Sequence, residues 1–272
     1  MVRMLLEVAG IGLFTLLAVL LPRDREQRVV NPDLVINLLT GGLIFLTLAP
    51  VARMVESAVG GALIGTEWLG DGTGLSGVAQ FAVAFLLLDF TRYWVHRADH
   101  RVPFLWKFHR VHHSVERMDA TAGLRMHAVD FVQLSIIPIL LFGVLLDTSS
   151  FVPWSLQAAF GIGIFFDTFQ HANLRFDITH PLLGAWHKVL NNPHFHAWHH
   201  TREGNLCDGN YANSVVIWDR LFGSNVTRPE LPELFGINEK QALAGTRELQ
   251  LSPRTLLAVL KLQLLRPRPR DQ

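Results

Sequence analysis

The sequence has little cysteine and little charge, and both shortages limit what the protein can be. Cys207 is the only cysteine among 272 residues, so neither an internal disulfide nor a cluster of thiolate metal ligands is available. Charged residues make up 17% of the chain, against about 25% in a soluble domain. The formal net charge is +1, and no basic stripe with interleaved aromatics points to nucleic acid. So little charge indicates that much of the surface does not face water.

Long hydrophobic runs account for the low charge. Five apolar stretches each approach the ~20 residues that cross ~30 Å of hydrocarbon. They cover residues 4–21, 34–52, 78–95, 129–146 and 151–169. The first resembles a signal peptide, but Leu21 to Asp24 offers no small-residue cleavage site, so we expect a retained span. The predicted fold is all-α: a polytopic membrane helical bundle of about five spans with a cytoplasmic histidine-rich cap.

Three regions follow from this pattern. We expect residues 1–77 to form the N-terminal membrane spans, residues 78–224 to hold the further spans and the histidine clusters, and residues 225–272 to form a C-terminal cytoplasmic tail. Within the tail, Leu251 to Leu265 is predicted to be a short amphipathic helix, either solvated or lying on the membrane surface.

Basic residues near the span ends predict the orientation. Three arginines follow the first span between residues 23 and 28, and six basic residues follow the third span between residues 97 and 125. Between the second and third spans, Arg53 is the only basic residue. The positive-inside rule then places the N-terminus outside and everything after the fifth span inside. We therefore expect a multi-pass integral membrane protein, in the inner membrane if bacterial, with its histidine clusters on the cytoplasmic side.

Thirteen histidines are present, and three runs hold eight of them. The runs are H-x-x-x-H at His96 and His100, H-x-x-H-H at His109, His112 and His113, and H-x-x-H-H at His196, His199 and His200. On a helix, side chains at i and i+4 share a face, whereas adjacent side chains diverge by about 100°. Each adjacent pair can therefore send one imidazole to each of two ions. Imidazole suits iron, zinc and copper, so the spacing predicts a dinuclear metal site.

Four further residues are candidates for the same site. His171, at the inner end of the fifth span, is a candidate ligand. His127, just before the fourth span, is a candidate ligand, a residue that supports a ligand, or a surface residue. Asp89 and Asp167 lie within the third and fifth spans. Each carboxylate is predicted either to accept a hydrogen bond from a metal-bound histidine or to make a structural bond within the bundle.

Four phrases of the sequence carry a resemblance to a known family. They are LWKFHRVHHS (105–114), FQHAN (169–173), NPHFHAWHH (192–200) and NYANSVVIWDRLFGS (210–224). Together with the three histidine runs, they resemble the fatty acid hydroxylase and sterol desaturase superfamily over roughly residues 78 to 224. The resemblance implies a membrane oxidoreductase that uses dioxygen and reducing equivalents to hydroxylate or desaturate a lipid, whether fatty acyl, sterol or related.

The resemblance also implies a ligand set and a cofactor. Carried over position by position, the metal ligands are His96, His100, His109, His112, His113, His171, His196, His199 and His200, with His127 as a candidate tenth. His194 stands beside His196 and departs from the pattern, which leaves open which of the two binds. The implied cofactor is a pair of iron ions. Zinc is an alternative in purified protein, although it lacks the redox change that this chemistry needs.

The electrons must come from outside the chain. No G-x-G-x-x-G fingerprint lies on a strand–helix unit and no haem attachment motif is present, so we expect a separate donor, a reductase, ferredoxin or cytochrome. One alternative is a non-enzymatic metal-handling membrane protein, a transporter or sensor. A transporter should hold its ligands near the bilayer midplane, and here the histidines lie beyond the span ends. A membrane haem protein is a second alternative, but it would need fewer histidines, placed on facing helices within the spans.

Overall fold

The chain is helical throughout the part that the structure describes. The computed structural model describes residues 2–62, 74–145, 150–203, 206 and 208–237. Nine α-helices lie in these residues, and three isolated bridges occur but no β-strand. The helices are α1 (Val2–Leu20), α2 (Pro32–Ala62), α3 (Gly77–Arg101), α4 (Pro103–His109), α5 (Ala128–Leu145), α6 (Pro153–His171), α7 (Pro181–His187), α8 (Pro193–His199) and α9 (Ile217–Leu221). Cys207 and the predicted helix at 251–265 lie outside the described residues.

Two helical segments are long and apolar enough to cross a membrane. Among the described residues these are Pro32–Val51 in α2 and Gly77–Arg101, the whole of α3. Leu5–Leu20 in α1 is a shorter apolar helix, and the two remaining predicted stretches correspond to α5 and α6. The all-helical prediction is confirmed for the described part of the chain. Of the five predicted spans, two meet this length and composition criterion there.

Among the five long helices, α3 and α6 form the centre of the bundle, and the other three pack beside them. These two contact each other, α1 packs on α6, α2 on α5, and α5 on α3. Leu88 of α3 packs with Phe151 and with Ala159 of α6 in one apolar core cluster. Phe14 of α1 packs against Phe169 in a second cluster. The bundle therefore brings the C-terminal ends of α3 and α6 close together, and both ends carry histidine.

Large apolar side chains cover the outside of the bundle. Leu16 of α1 is 60% exposed, Leu46 of α2 is 82% exposed and Val78 of α3 is 68% exposed. Soluble monomers rarely present contiguous apolar surface on this scale, which is typical of contact with lipid or protein.

Prolines set the boundaries of the helices that carry the first two histidine runs. Val102 precedes Pro103 and adopts an extended conformation, which ends α3, because a residue before proline is disfavoured in the α region. Pro103 then opens α4 at its first turn, where its missing N–H costs nothing. The helix ends at His109, and His112–Ser114 forms a 3₁₀ turn. The second run therefore keeps its spacing of three and four residues but leaves the α-helix after His109.

The third run lies on α8, which has a strong N-terminal cap. The Asn192 side chain accepts hydrogen bonds from the backbone N–H groups of His194 and Phe195, and Pro193 follows it. His196 and His199 lie on the helix, whereas His200 is its C-cap residue.

A buried ion pair fixes the segment between the second run and α5. Arg125 Nη2 lies 2.7 Å from Asp33 Oδ1 at the start of α2, and neither side chain is exposed. Arg125 Nε also donates to Asn37 Oδ1 at 2.7 Å. The non-helical segment that carries His112 and His113 is thus attached to a long helix distant in the sequence.

Candidate metal centre

Nine of the predicted ligands lie together in two groups. The five-histidine group contains His96, His100, His109, His113 and His199, and the four-histidine group contains His112, His171, His196 and His200. Within each group, one nitrogen from every ring lies within 4.8 Å of the others. All nine rings are buried except that of His96, which is partly buried.

Adjacent histidines diverge between the groups, as the spacing predicts. His112 belongs to the four-histidine group and His113 to the five-histidine group. His199 and His200 separate in the same way. The i, i+4 partners stay together even where the backbone leaves the α-helix, as His109 and His113 do. Each H-x-x-H-H run therefore contributes to both groups.

Backbone carbonyls orient four of the rings through Nδ1. The pairs are His96 with Tyr211 O at 2.8 Å, His112 with Arg125 O at 3.2 Å, His171 with Asp167 O at 2.6 Å, and His199 with Gly209 O at 2.8 Å. A carbonyl can only accept, so Nδ1 must carry the proton. In a neutral imidazole, Nε2 is then left with its lone pair exposed. These four rings are prepared to bind a metal through Nε2.

Two of these lone pairs face each other in the four-histidine group. His112 Nε2 lies 3.2 Å from His171 Nε2, and no proton is available between them when both Nδ1 atoms are protonated. The contact is repulsive unless a cation occupies the space beside both nitrogens. Two further pairs of Nε2 atoms lie at similar distances. His171 Nε2 is 3.0 Å from His196 Nε2, and His196 Nε2 is 3.1 Å from His200 Nε2. Metal–nitrogen bonds of about 2.1 Å at right angles would separate two nitrogens by about 3 Å. The four-histidine group therefore fits a metal ion.

The five-histidine group fits an ion for a different reason. Buried Nε2 atoms of His96, His100, His113 and His199 have no hydrogen-bond partner within the described residues. A buried polar atom without a partner costs about 1–3 kcal/mol, and native proteins rarely leave several side by side. Nitrogen donors that converge without protein partners are what a metal ion requires.

Burial also keeps the rings outside the long helices in the form that binds metal. Desolvation, followed by the charges of neighbouring histidines, lowers the pKa of four rings well below the usual value. They are His112, His113, His196 and His200. Burial lowers the pKa of His199 to about 3. These imidazoles are neutral at pH 7, as metal ligation requires.

His109 differs because two carboxylates lie beside it. Burial lowers its pKa, but the nearby carboxylates of Asp130 and Asp99 outweigh burial and raise it overall. Its Nδ1 lies 3.7 Å from Asp130 Oδ2. This geometry favours a proton on Nδ1 and leaves Nε2 to the five-histidine group. Sequence reasoning missed both aspartates, although Asp99 directly precedes His100.

Four histidines lie outside the two groups, and two of them, His127 and His194, were candidate ligands. His127 Nδ1 accepts the backbone N–H of Val129 at 3.0 Å, so it caps the start of α5, and its role as a tenth ligand stays a prediction. His194 Nε2 bonds to the carbonyl of Arg228 at 2.7 Å. Of the neighbouring pair that the sequence left open, the structure brings His196 into a group and directs His194 elsewhere.

The aspartates of α3 and α6, Asp89 and Asp167, make different bonds from those considered for ligand support. Asp89 accepts hydrogen bonds from Ser214 N, Val215 N and Trp218 Nε1 at 2.9 to 3.0 Å. It therefore holds the 210–224 segment, which is the structural alternative. Asp167 supports His171 through its backbone carbonyl, while its carboxylate accepts a hydrogen bond from Gln170 Nε2 at 3.4 Å, which is again the structural alternative.

The 210–224 segment positions one ligand, His96, a role that sequence reasoning also missed. Asp219 accepts from the backbone N–H groups of Tyr211 and Ala212 at 2.9 and 2.8 Å. Asn210 has φ 57°, a left-handed conformation that asparagine tolerates better than most residues. Its side chain donates to Phe195 O at 2.9 Å on the helix that carries the third run. Tyr211, so held, presents its carbonyl to His96.

A cleft opens on both groups. Its space is about 860 Å³, including the part open to solvent. His96 and His109 of the five-histidine group and His112, His171 and His196 of the four-histidine group line it. A molecule bound there would contact both metal positions.

Comparison with known proteins identifies a matching family model and several similar proteins. The family model described as fatty acid hydroxylase matches residues 81–224. Alkylglycerol monooxygenase of Xenopus tropicalis is 32% identical over 153 residues, which cover 54% of this chain and 31% of that protein. Ornithine lipid hydroxylase of Rhizobium tropici is 31% identical over 171 residues, 60% of this chain and 47% of that protein. A fatty acid hydroxylase of a Lecanicillium species is 31% identical over 156 residues, 53% and 41% respectively.

The matches are partial on both sides. The chain spans between about a third and a half of the length of these curated relatives. No solved structure matches the chain.

Proposed function

This chain belongs to the fatty acid hydroxylase family, and from that premise we propose that it is a membrane-bound di-iron oxidoreductase that uses dioxygen and external electrons to hydroxylate or desaturate a lipid. The observation that carries the proposal is the pair of Nε2 lone pairs of His112 and His171, which lie 3.2 Å apart and would be stabilised by a cation bound to both nitrogens. The relatives named as lipid hydroxylases and monooxygenases support the reaction class.

The nine grouped histidines hold the two ions, one in each group. Iron at these positions would supply the redox chemistry with dioxygen that no side chain provides. The protein contributes the geometry. Carbonyls of Tyr211, Arg125, Asp167 and Gly209 fix four rings, and Asp130 supports His109. The adjacent histidines of each H-x-x-H-H run belong to different groups. These two runs would therefore set the distance between the ions.

The substrate occupies the cleft beside both groups. Apolar side chains from three parts of the fold, among them Met126, Phe131 and Ile164, form part of its wall. The metal-facing rings are buried, which restricts water near the reacting carbon. A lipid chain enters from the membrane between the helices, and electrons arrive from a separate reductase, ferredoxin or cytochrome.

The five long helices form the membrane part, and the histidine layer lies at its cytoplasmic end. The exposed apolar surface of α1, α2 and α3 supports the membrane location. The basic residues that follow the first and third apolar stretches support the orientation. In this arrangement, residues 1–77 anchor the chain, residues 78–224 carry the chemistry, and residues 225–272 form a cytoplasmic tail.

Metal analysis and lipid profiling test the proposal together. The purified protein should contain two irons per chain and show no haem absorption band. Cells expressing the protein should accumulate a hydroxylated or desaturated lipid that is absent without the gene. His112→Ala and His199→Ala should each abolish that lipid, whereas His180→Ala should not, because His180 is exposed and lies outside both groups.

Two outcomes would overturn the proposal. One is product formation by both ligand variants at the wild-type level. The other is a metal-loaded protein that changes the metal content of vesicles or cells but forms no oxidised lipid, as a transporter or sensor would.

A further inference from the structure

A second pocket lies beside the loop that joins α1 to α2. Its space is about 710 Å³, including the part open to solvent. The end of α1, the loop itself and the start of α2 form most of its wall. It shares no lining residue with the cleft beside the histidines. The pocket is therefore separate from the proposed site of oxidation.

The part of the wall that belongs to the long helices is largely apolar. Ala18 and Val19 of α1 and Leu34 of α2 line it, and Val19 is 58% exposed. These residues lie within the first turn or so of the helix ends that border the loop, and α1 lines the pocket as far back as Thr15, about 7 Å before the end of the helix. In the proposed orientation, this part of the wall faces the hydrocarbon just below the cytoplasmic surface.

The loop supplies two cations. Arg25 and Arg28 line the pocket with exposed side chains. Neither belongs to an ion pair within the described residues. Basic residues that directly follow a cytoplasmic span end lie at the level of the lipid phosphates and attract them. The two guanidinium groups are thus placed for a phosphate group.

Two carboxylates line the same pocket, those of Asp24 and Asp119. Asp24 is held by the buried Asn173, whose side chain accepts from Asp24 N and donates to Asp24 O, both at 3.0 Å. Asp119 Oδ1 accepts the backbone N–H of Thr121 at 2.8 Å. The protein therefore fixes negative charge at the wall that also carries the two arginines.

This combination of charges specifies a head group. A phosphate accepts charge-assisted hydrogen bonds from arginine, and a primary ammonium has three N–H donors for carboxylates. A quaternary ammonium has no N–H to donate. A head group with a phosphate but no ammonium carries a net negative charge, and two carboxylates would repel it. A phosphate joined to a primary ammonium satisfies both pairs of side chains.

We propose that this pocket binds a phospholipid whose head group joins a phosphate to a primary ammonium, as in phosphatidylethanolamine. Its phosphate lies at Arg25 and Arg28, and its acyl chains lie against the apolar wall. The proposal rests on the membrane location given under the proposed function. The lipid is a bound component of the folded protein and not the substrate, because the pocket lies apart from the cleft. It contacts both α1 and α2 and so stabilises their arrangement, since a ligand that binds only the folded state adds to its stability.

Native mass spectrometry of the full chain in detergent measures this binding. The delipidated protein is titrated with dioleoyl phosphatidylethanolamine, phosphatidylcholine or phosphatidylglycerol, and separately with glycerophosphoethanolamine, which has the same head group without acyl chains. Phosphatidylethanolamine should bind at least fivefold more tightly than the other two phospholipids. Glycerophosphoethanolamine should not bind at the same concentration, because it cannot bury apolar surface.

Two pairs of arginines test the charges. Arg25→Gln with Arg28→Gln should weaken binding of phosphatidylethanolamine at least tenfold. Arg175→Gln with Arg220→Gln changes the net charge equally at two exposed residues outside the pocket and should retain wild-type affinity. Metal content, measured in parallel, should be unchanged in both double variants.

Two residues of α1 test the apolar wall. Val19→Trp fills the pocket and should weaken binding at least tenfold. Leu16→Trp makes a similar change at a residue that is 60% exposed and does not line the pocket, so it should bind as wild type does. A lipid held in the cleft instead would be insensitive to both variants.

The outcomes separate this proposal from the proposed function. Equal affinity for the three phospholipids, or wild-type affinity when Arg25 and Arg28 are replaced, would overturn it. Binding of glycerophosphoethanolamine as tight as that of the whole lipid would also overturn it, by showing a site for a soluble phosphate ester. Tight binding of phosphatidylethanolamine by a chain that forms no oxidised lipid would contradict the proposed function and support the pocket.

Discussion

Asp89 Oδ1 accepts the backbone N–H of Ser214 at 2.9 Å across 125 positions of the chain. The other carboxylate oxygen accepts from Val215 N and Trp218 Nε1. One buried side chain of α3 therefore holds the segment whose carbonyl orients His96.

Replacing this carboxylate should destabilise the protein and weaken metal binding. In Asp89→Asn, one oxygen becomes an N–H donor that must face protein donors, and an unsatisfied buried group costs about 1–3 kcal/mol. We expect a lower thermal unfolding midpoint in detergent and a lower metal content after dialysis. Glu26→Gln, an isosteric change at an exposed residue, should leave both unchanged. Equal behaviour of the two variants would show that Asp89 does not hold the segment.

The ion pair between Asp33 and Arg125 should contribute far more to the free energy of unfolding than an ion pair on the surface. Removing one partner of a buried ion pair costs about 3–5 kcal/mol, since the other charge is left uncompensated. Asp33→Asn should therefore lower the unfolding midpoint and also disturb His112, whose Nδ1 bonds to Arg125 O. Glu230→Gln breaks the exposed pair with Arg228, 3.7 Å long, and should cost at most about 1 kcal/mol. Thermal unfolding of both variants, with metal analysis, checks this order.

Metal content should respond to the group from which a histidine is removed. His200→Ala takes a ligand from the four-histidine group, and His100→Ala takes one from the five-histidine group. Elemental analysis of each purified variant should give less metal per chain than wild type. The loss should be greater for His200→Ala, because three remaining imidazoles hold an ion less well than four. Full metal content in His200→Ala would exclude this histidine as a ligand.

Acid should destabilise the metal-free protein. The folded-state pKa of His199 is lowered to about 3 by burial, and the unfolded chain titrates near 6.5. Between these values, the unfolded state binds a proton that the folded state does not. The stability present above pH 6.5 is therefore lost as pH falls toward 3. The unfolding midpoint of chelator-treated protein should drop between pH 7.5 and 5.5. His199→Asn should flatten this dependence, while His180→Asn should leave it as in wild type.

The sequence predicted which histidines come together, because imidazole spacing is a side-chain signal. The i, i+4 pairs share a group and the neighbours His112 and His113 separate, as the spacing predicts, although these two neighbours lie on a 3₁₀ turn. The break after His109 was not predictable, because no glycine or proline follows it to end the helix. Instead, the segment is held by the long-range bonds of Arg125 to Asp33 and Asn37.

The groups that orient the ligands could not be predicted from the sequence for a related reason. Tyr211 and Gly209 act through backbone carbonyls, and a carbonyl is present at every residue, so side-chain identity carries no signal. Asp130 supports His109 from a position 21 residues away, and only the packing of α5 beside α3 and α4 brings the two together.

The unequal size of the two histidine groups has a chemical consequence. An ion with six coordination positions would have one open beside five imidazoles and two open beside four. The two ions would then be electronically distinct despite an all-nitrogen environment, and the less crowded one would be the natural place for a small exogenous molecule to bind. The order of histidines along the chain thus makes the two metal positions unequal.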